Sequence, residues 1–135
     1  MIHDQAATLA QGKRAGEAIN TIELAVQQLE GLTNELTLAK RKITHEKGGY
    51  WFSSLKNFFR LLMAFFKGSV GDEKRNMKRE LEEKARAFRR KLGSLKSDAD
   101  AAVEVLNAFE KEIADSVREY KEFKAKIQSA SPGRD

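Results

Sequence analysis

The stretch GGYWFSSLKNFFRLLMAFFKGSVG, residues 48–71, lies between two long segments whose spacing of apolar residues is helical. It carries seven of the eleven aromatic residues of the chain, and glycines bound it at both ends. It contains lysine and arginine but no acidic residue. Whether its apolar side chains point into a core or toward a partner decides what fold and what function we expect.

The segment before this stretch, residues 4–46, is predicted to form one long helix. Its apolar residues recur with alternating gaps of three and four, which is the spacing of a heptad seam. Asp4 is placed to cap the first turn, and Gly48 and Gly49 provide an end signal. The seam consists of Ala15, Ile19, Ile22, Val26, Leu29, Leu36 and Ile43.

Two further helices are predicted after the aromatic stretch. Residues 72–92 form one, closed by Gly93, and Ser97 begins the other, with Asp100 completing a capping-box-like pair. The apolar stripe of the first is Met77, Leu81, Ala85, Phe88 and Leu92. The stripe of the second is Ala99, Ala102, Leu106, Phe109, Ile113, Val117, Tyr120, Phe123 and Ile127.

These patterns predict an all-α fold, a helical bundle of about four helices. The first and last helices are long and coiled-coil-like, with a short aromatic amphipathic helix between. We expect a single domain over residues 1–128, with residues 129–135 as a flexible tail or the start of a linker. The absence of cysteine excludes a disulfide framework and fits a reducing compartment. We expect a cytoplasmic protein, peripheral at membranes.

On a helix over residues 50–67, the polar positions fall on one narrow basic stripe opposite a wide apolar face. A membrane span needs about 20 mostly apolar residues, and each charge near its centre costs about 2.5–3.5 kcal/mol. Lys56 and Arg60 therefore argue against a single span. A helix lying in the membrane interface keeps such residues at the headgroups, so the pattern favours that position.

This interpretation predicts a protein that binds anionic lipid surfaces and oligomerises through its heptad helices. The more specific form of the prediction is that the oligomer permeabilises the membrane. The residues expected to insert are Trp51, Phe52, Leu55, Phe58, Phe59, Leu62, Phe65 and Phe66. Those expected at phosphates or headgroups are Lys56, Arg60, Lys67, Lys74, Arg75, Lys78 and Arg79. The expected hinges, which would let the aromatic helix swing out, are Gly48, Gly49, Gly68 and Gly71.

The formal charge of +5 is concentrated in the middle of the chain. Residues 72–97 carry ten basic and five acidic groups, whereas residues 98–135 carry six basic and nine acidic groups. This asymmetry predicts an anionic partner or an internal pairing with the last segment. Because glutamates are interleaved with the basic residues, lipid headgroups fit better than a nucleic-acid groove, and nucleic acid is not an expected partner.

Other interpretations remain open at this point. Residues 50–66 are equally explained as the core helix of a non-enzymatic coiled-coil scaffold module. The spacing of Phe52, Phe59 and Phe65 among basic residues also fits the groove of a protein partner. Enzymatic chemistry is not expected, because the two histidines, His3 and His45, are far apart and no phosphate-binding loop occurs. We expect no cofactor and no metal.

The arrangement of a hydrophobic segment hinged between long heptad helices, with a basic segment beside it, resembles that of α-helical pore-forming toxins. It is also similar to the helical membrane-attacking domains at the N-termini of some immune and cell-death proteins. The resemblance covers the arrangement and no motif, so it assigns no role to any residue. It implies a membrane-active function.

Overall fold

The computed structural model describes residues 14–46, 53, 55–95 and 98–130. These ranges form four α-helices and contain no strand. The helices are α1 (Arg14–Glu46), α2 (Lys56–Lys67), α3 (Arg75–Ser94) and α4 (Ala99–Ala130), with a 3-10 turn at Asp72–Lys74 between α2 and α3. The prediction of an all-α helical bundle is confirmed.

The two long helices, α1 and α4, share the largest interface between helices and build the core. Each is about 50 Å long at about 1.5 Å per residue. In both helices four fully buried side chains recur every seven residues, which is the signature of a coiled-coil seam. They are Ile22, Leu29, Leu36 and Ile43 in α1, and Leu106, Ile113, Tyr120 and Ile127 in α4. These eight residues of the predicted heptad faces therefore lie inside the bundle.

The aromatic helix α2 packs across α1 and α3, with Phe58 fully buried at the centre of a ring cluster. The Phe58 ring meets the rings of Phe88 and Phe109 edge to face, each at a centroid distance of 6.2 Å. Phe88 and Phe109 are themselves stacked, with centroids 4.5 Å apart. These geometries are the favourable ones for aromatic pairs, so the cluster joins α2, α3 and α4.

The turn between α2 and α3 is held from inside the bundle. Gly71 is buried with a φ of +87°, and the Tyr120 hydroxyl donates a hydrogen bond of 2.7 Å to its carbonyl oxygen. Burial, together with the carboxylates of Glu73 and Asp72, raises the pKa of Tyr120, so the phenol remains a donor. The turn predicted to act as a hinge at Gly68 and Gly71 is therefore pinned to α4 in the folded state.

Helix boundaries differ from the predicted ones in α2, α3 and α4. α2 begins at Lys56 instead of residue 50, and α3 continues through Gly93 to Ser94. α4 is capped by Asp98, whose carboxylate accepts the Ala101 N–H at 3.0 Å. The predicted cap at Ser97, the predicted Asp4 cap and the end signal at residues 48–49 lie outside the described residues.

Substituting alanine for glycine is expected to have opposite effects at two positions. Gly71→Ala should lower the free energy of unfolding by at least about 2 kcal/mol, because alanine is strained at positive φ. Its Cβ would also lie 2.5 Å from the Tyr120 hydroxyl oxygen. At Gly93, which is helical, a Cβ meets nothing within 4 Å, so Gly93→Ala should raise the free energy by about 0.5–1 kcal/mol.

Urea unfolding followed by circular dichroism measures both changes. Equal stability of wild type and Gly71→Ala would contradict the account of the pinned turn, and Gly93→Ala controls for the helix preference of alanine.

Candidate anion-binding surface

Helix α3 carries a row of exposed arginines on one side. Arg79, Arg86 and Arg90 follow Arg75 by four, eleven and fifteen residues, close to one, three and four helical turns. All four are exposed, and Arg89 extends the row toward α2. We call these five arginines the α3 bank.

Helix α2 carries a matching row of Lys56, Arg60 and Lys67, all exposed. Arg60 and Lys67 lie three residues before and four residues after Met63, so they share its side of the helix. We call these three residues the α2 bank. It is the basic stripe predicted from the sequence, and the structure places it on the outside of the bundle.

An apolar groove of about 150 Å³ runs between α2 and α3. Its α2 wall is Phe59, Leu62, Met63 and Phe66, and its α3 wall is Glu82, Ala85, Arg86 and Arg89. The Arg89 guanidinium lies 5.4 Å from the centroid of the Phe59 ring, a cation–π contact. The two banks thus flank an apolar floor to which Met63 and Phe66 contribute partly exposed side chains.

Acidic side chains neutralise this surface only in part. Glu82 pairs with Arg86 at 3.2 Å, and Asp72 lies 3.9 Å from Arg75. The two arginine side chains are 66% and 69% exposed, and ion pairs at that exposure contribute little. With Glu83 also nearby on α3, the eight cations of the two banks still outnumber these carboxylates, so the surface carries a net positive charge.

The apolar residues predicted to insert into a membrane are mostly core residues. Leu55, Phe58, Phe59, Leu62 and Phe65 are buried, and Phe66 is half-buried. Trp51 and Phe52 lie outside the described residues, as do Gly48 and Gly49. Among the described residues of this face, the edge at the groove is the part that reaches the surface.

Two of the predicted headgroup ligands are not free on the surface. The Lys78 side chain is 6% exposed, and its ammonium donates to the carbonyl oxygens of Gly68 and Val70 at 2.9 and 2.6 Å and to Asp72 at 3.1 Å. It also lies 4.7 Å from the centroid of the Phe65 ring. Lys74 is half-buried over the ring of Phe123. Lys78 therefore belongs to the α2–α3 turn, and we remove it from the anion-binding set.

Arg86 and Arg89 line the groove and Arg90 belongs to the α3 bank, yet none of the three is among the headgroup residues predicted individually from the sequence. A signal was available, because their spacing from Arg75 and Arg79 places them on the same stripe. What the sequence could not supply is the position of α2 beside that stripe.

Within the described ranges, no helix is both long and apolar enough to cross a membrane. The same ranges hold no group of three metal-ligating side chains. Comparisons with models of protein families, with curated proteins and with solved structures gave no match. Function is therefore inferred from the charges of the α2 and α3 banks and from the apolar lining of the groove.

Replacing the buried lysine is expected to destabilise the α2–α3 turn. Lys78→Met keeps the length of the side chain but leaves two carbonyl oxygens and a carboxylate without their donor, which should cost about 2–3 kcal/mol. Arg79→Met, at the exposed neighbouring position, should change the free energy of unfolding by less than about 0.5 kcal/mol. Guanidinium unfolding of both variants makes the comparison, and equal stabilities would show that Lys78 does not hold the turn.

Proposed function

We propose that this protein binds anionic membrane surfaces as a folded helical bundle, using the α2 and α3 banks. The observation that carries the proposal is the pair of exposed basic rows on neighbouring helices, with an apolar groove between them. Each basic residue near an anionic leaflet contributes about 1 kcal/mol. Eight such residues on one side are more than enough for reversible binding.

The groove supports a lipid surface over other anions. Met63 and Phe66 are partly exposed between the two banks, where they meet the boundary between headgroups and acyl chains. Long arginine and lysine side chains suit this arrangement because their stems lie along apolar surface while their charges reach the phosphates. A nucleic-acid site requires groups that read bases or track a groove, and Glu82 and Glu83 interrupt the α3 bank.

Deeper insertion of the aromatic residues is a separate step in this proposal. The rings of Phe58 and Phe65 would have to leave the core, and the Lys78 and Tyr120 hydrogen bonds at the turn would have to open. Permeabilisation or pore formation requires this release of α2. Surface binding does not require it.

A non-enzymatic interaction module is the second candidate. Burial of Phe58, Leu62 and Phe65 explains the aromatic segment through the stability of the bundle alone. In that case the banks are a solvated face, and the functional surface lies elsewhere on the helices.

Co-sedimentation with vesicles of phosphatidylserine and phosphatidylcholine separates the two candidates. The triple variant Arg79→Gln/Arg86→Gln/Arg90→Gln should bind roughly 100-fold more weakly, at about 1 kcal/mol for each residue removed. The control Lys111→Gln/Lys121→Gln/Lys126→Gln removes three exposed charges from α4 and should bind within about threefold of wild type.

Circular dichroism should show that both variants stay folded, because all six positions are exposed. Wild-type protein that stays in the supernatant would support the interaction module. Equal losses for both triple variants would show that net charge, and not the banks, drives binding.

A further inference from the structure

Three large apolar side chains among the described residues are exposed to solvent. They are Leu24, Leu38 and Leu61, which are 46%, 49% and 37% exposed. Leu24 and Leu38 lie on α1, fourteen residues apart, with Gly31 midway between them. Intervals of seven residues keep all three positions on one side of the helix. That side is turned away from the core, because Leu24 follows buried Ile22 by two residues, about 200° around the helix.

The level of Leu61 along this row follows from two contacts between the α2 segment and α1. Asn57 of α2 donates a hydrogen bond of 3.0 Å to Glu35 of α1. Beyond the other end of α2, a Cβ on Gly71 would lie 3.2 Å from the Ala25 Cβ, so α2 runs antiparallel to α1. One turn along from this hydrogen bond, Leu61 is therefore level with Gly31.

Gly31 makes this face suited to another helix. A glycine in a helix interior costs about 1 kcal/mol relative to alanine. Apart from the adjacent residues and the nearby backbone of its own helix, no atom lies within 4 Å of the position that a Cβ would take, so packing inside the bundle does not require the missing side chain. On the outside, a glycine between two leucines lets a second backbone come close while the leucines pack on either side.

We infer that two copies of this chain associate through this outer seam, with the α1 helices antiparallel and the two-fold axis at Gly31. Leu24 of one copy then faces Leu38 of the other, as an isologous interface requires. The exposed charges select this direction. Glu17 at one end of the seam faces the end that carries Lys42 and His45, whereas a parallel pair would place like ends together.

The sequence suggested oligomerisation through the heptad helices. The seam proposed here uses the outer face of α1, because side chains of the bundle core occupy the inner face. The inference is independent of lipid binding, since the banks on α2 and α3 are not part of the seam.

Sedimentation equilibrium tests the association. Wild-type protein should be a dimer, and Leu24→Glu/Leu38→Glu should weaken the dimer at least tenfold without unfolding the chain, because both positions are exposed. The matched control is Ala108→Glu/Ala114→Glu, which adds the same charges at exposed positions of α4 and should remain dimeric. A monomeric wild type, or a double-leucine variant that dimerises as well as the control, would overturn the inference.

Cysteine crosslinking tests the direction, and the natural chain has no cysteine to interfere. Under mild oxidation, a mixture of Leu24→Cys and Leu38→Cys proteins should form a disulfide-linked dimer, whereas each protein alone should not. Gly93→Cys, at a position where an added Cβ meets nothing, should not crosslink with Leu24→Cys. Crosslinking of each leucine variant with itself would indicate parallel helices and contradict the antiparallel seam.

Discussion

The seam between α1 and α4 is the contact on which the rest of the structure depends. Its residues recur every seven positions in both helices and are fully buried. Tyr120 belongs to this seam and also donates the hydrogen bond that pins Gly71, and Thr21 of α1 donates to Glu73 in the same turn. The α2–α3 hairpin is therefore attached to the two long helices at its turn and through the aromatic cluster around Phe58.

The core and the candidate surface both result from the way the α2–α3 hairpin separates most of its apolar side chains, which are buried, from the basic side chains of the two banks, which are exposed. Most aromatic side chains of the α2–α3 hairpin are buried, so the arginines and lysines of the banks lie on the outer surface. Because α2 and α3 are antiparallel neighbours, their two basic rows lie side by side. Only the edge of the aromatic face, at Met63 and Phe66, remains accessible between them. A stable bundle is thus compatible with a net positive outer face, whereas insertion of the aromatic side chains into a membrane would have to disrupt the core.

Periodicity alone predicted the seams of α1, α3 and α4, because apolar spacing reports directly on which side of a helix is buried. It also predicted the exposed stripe of Lys56, Arg60 and Lys67. The burial of Lys78 could not be predicted in this way, since its acceptors are brought together by the turn and not by helical spacing. The fixed conformation of Gly71 depends likewise on a tyrosine forty-nine residues away.

Hydrogen–deuterium exchange of the protein bound to phosphatidylserine vesicles tests the central claim, that a folded bundle binds lipid through the two banks. The account predicts slower exchange in α2 and α3 on binding, with α1 and the seam of α4 unchanged, because the hairpin is covered while the core stays intact. Faster exchange throughout α2, or protection confined to α1 and α4, would contradict it.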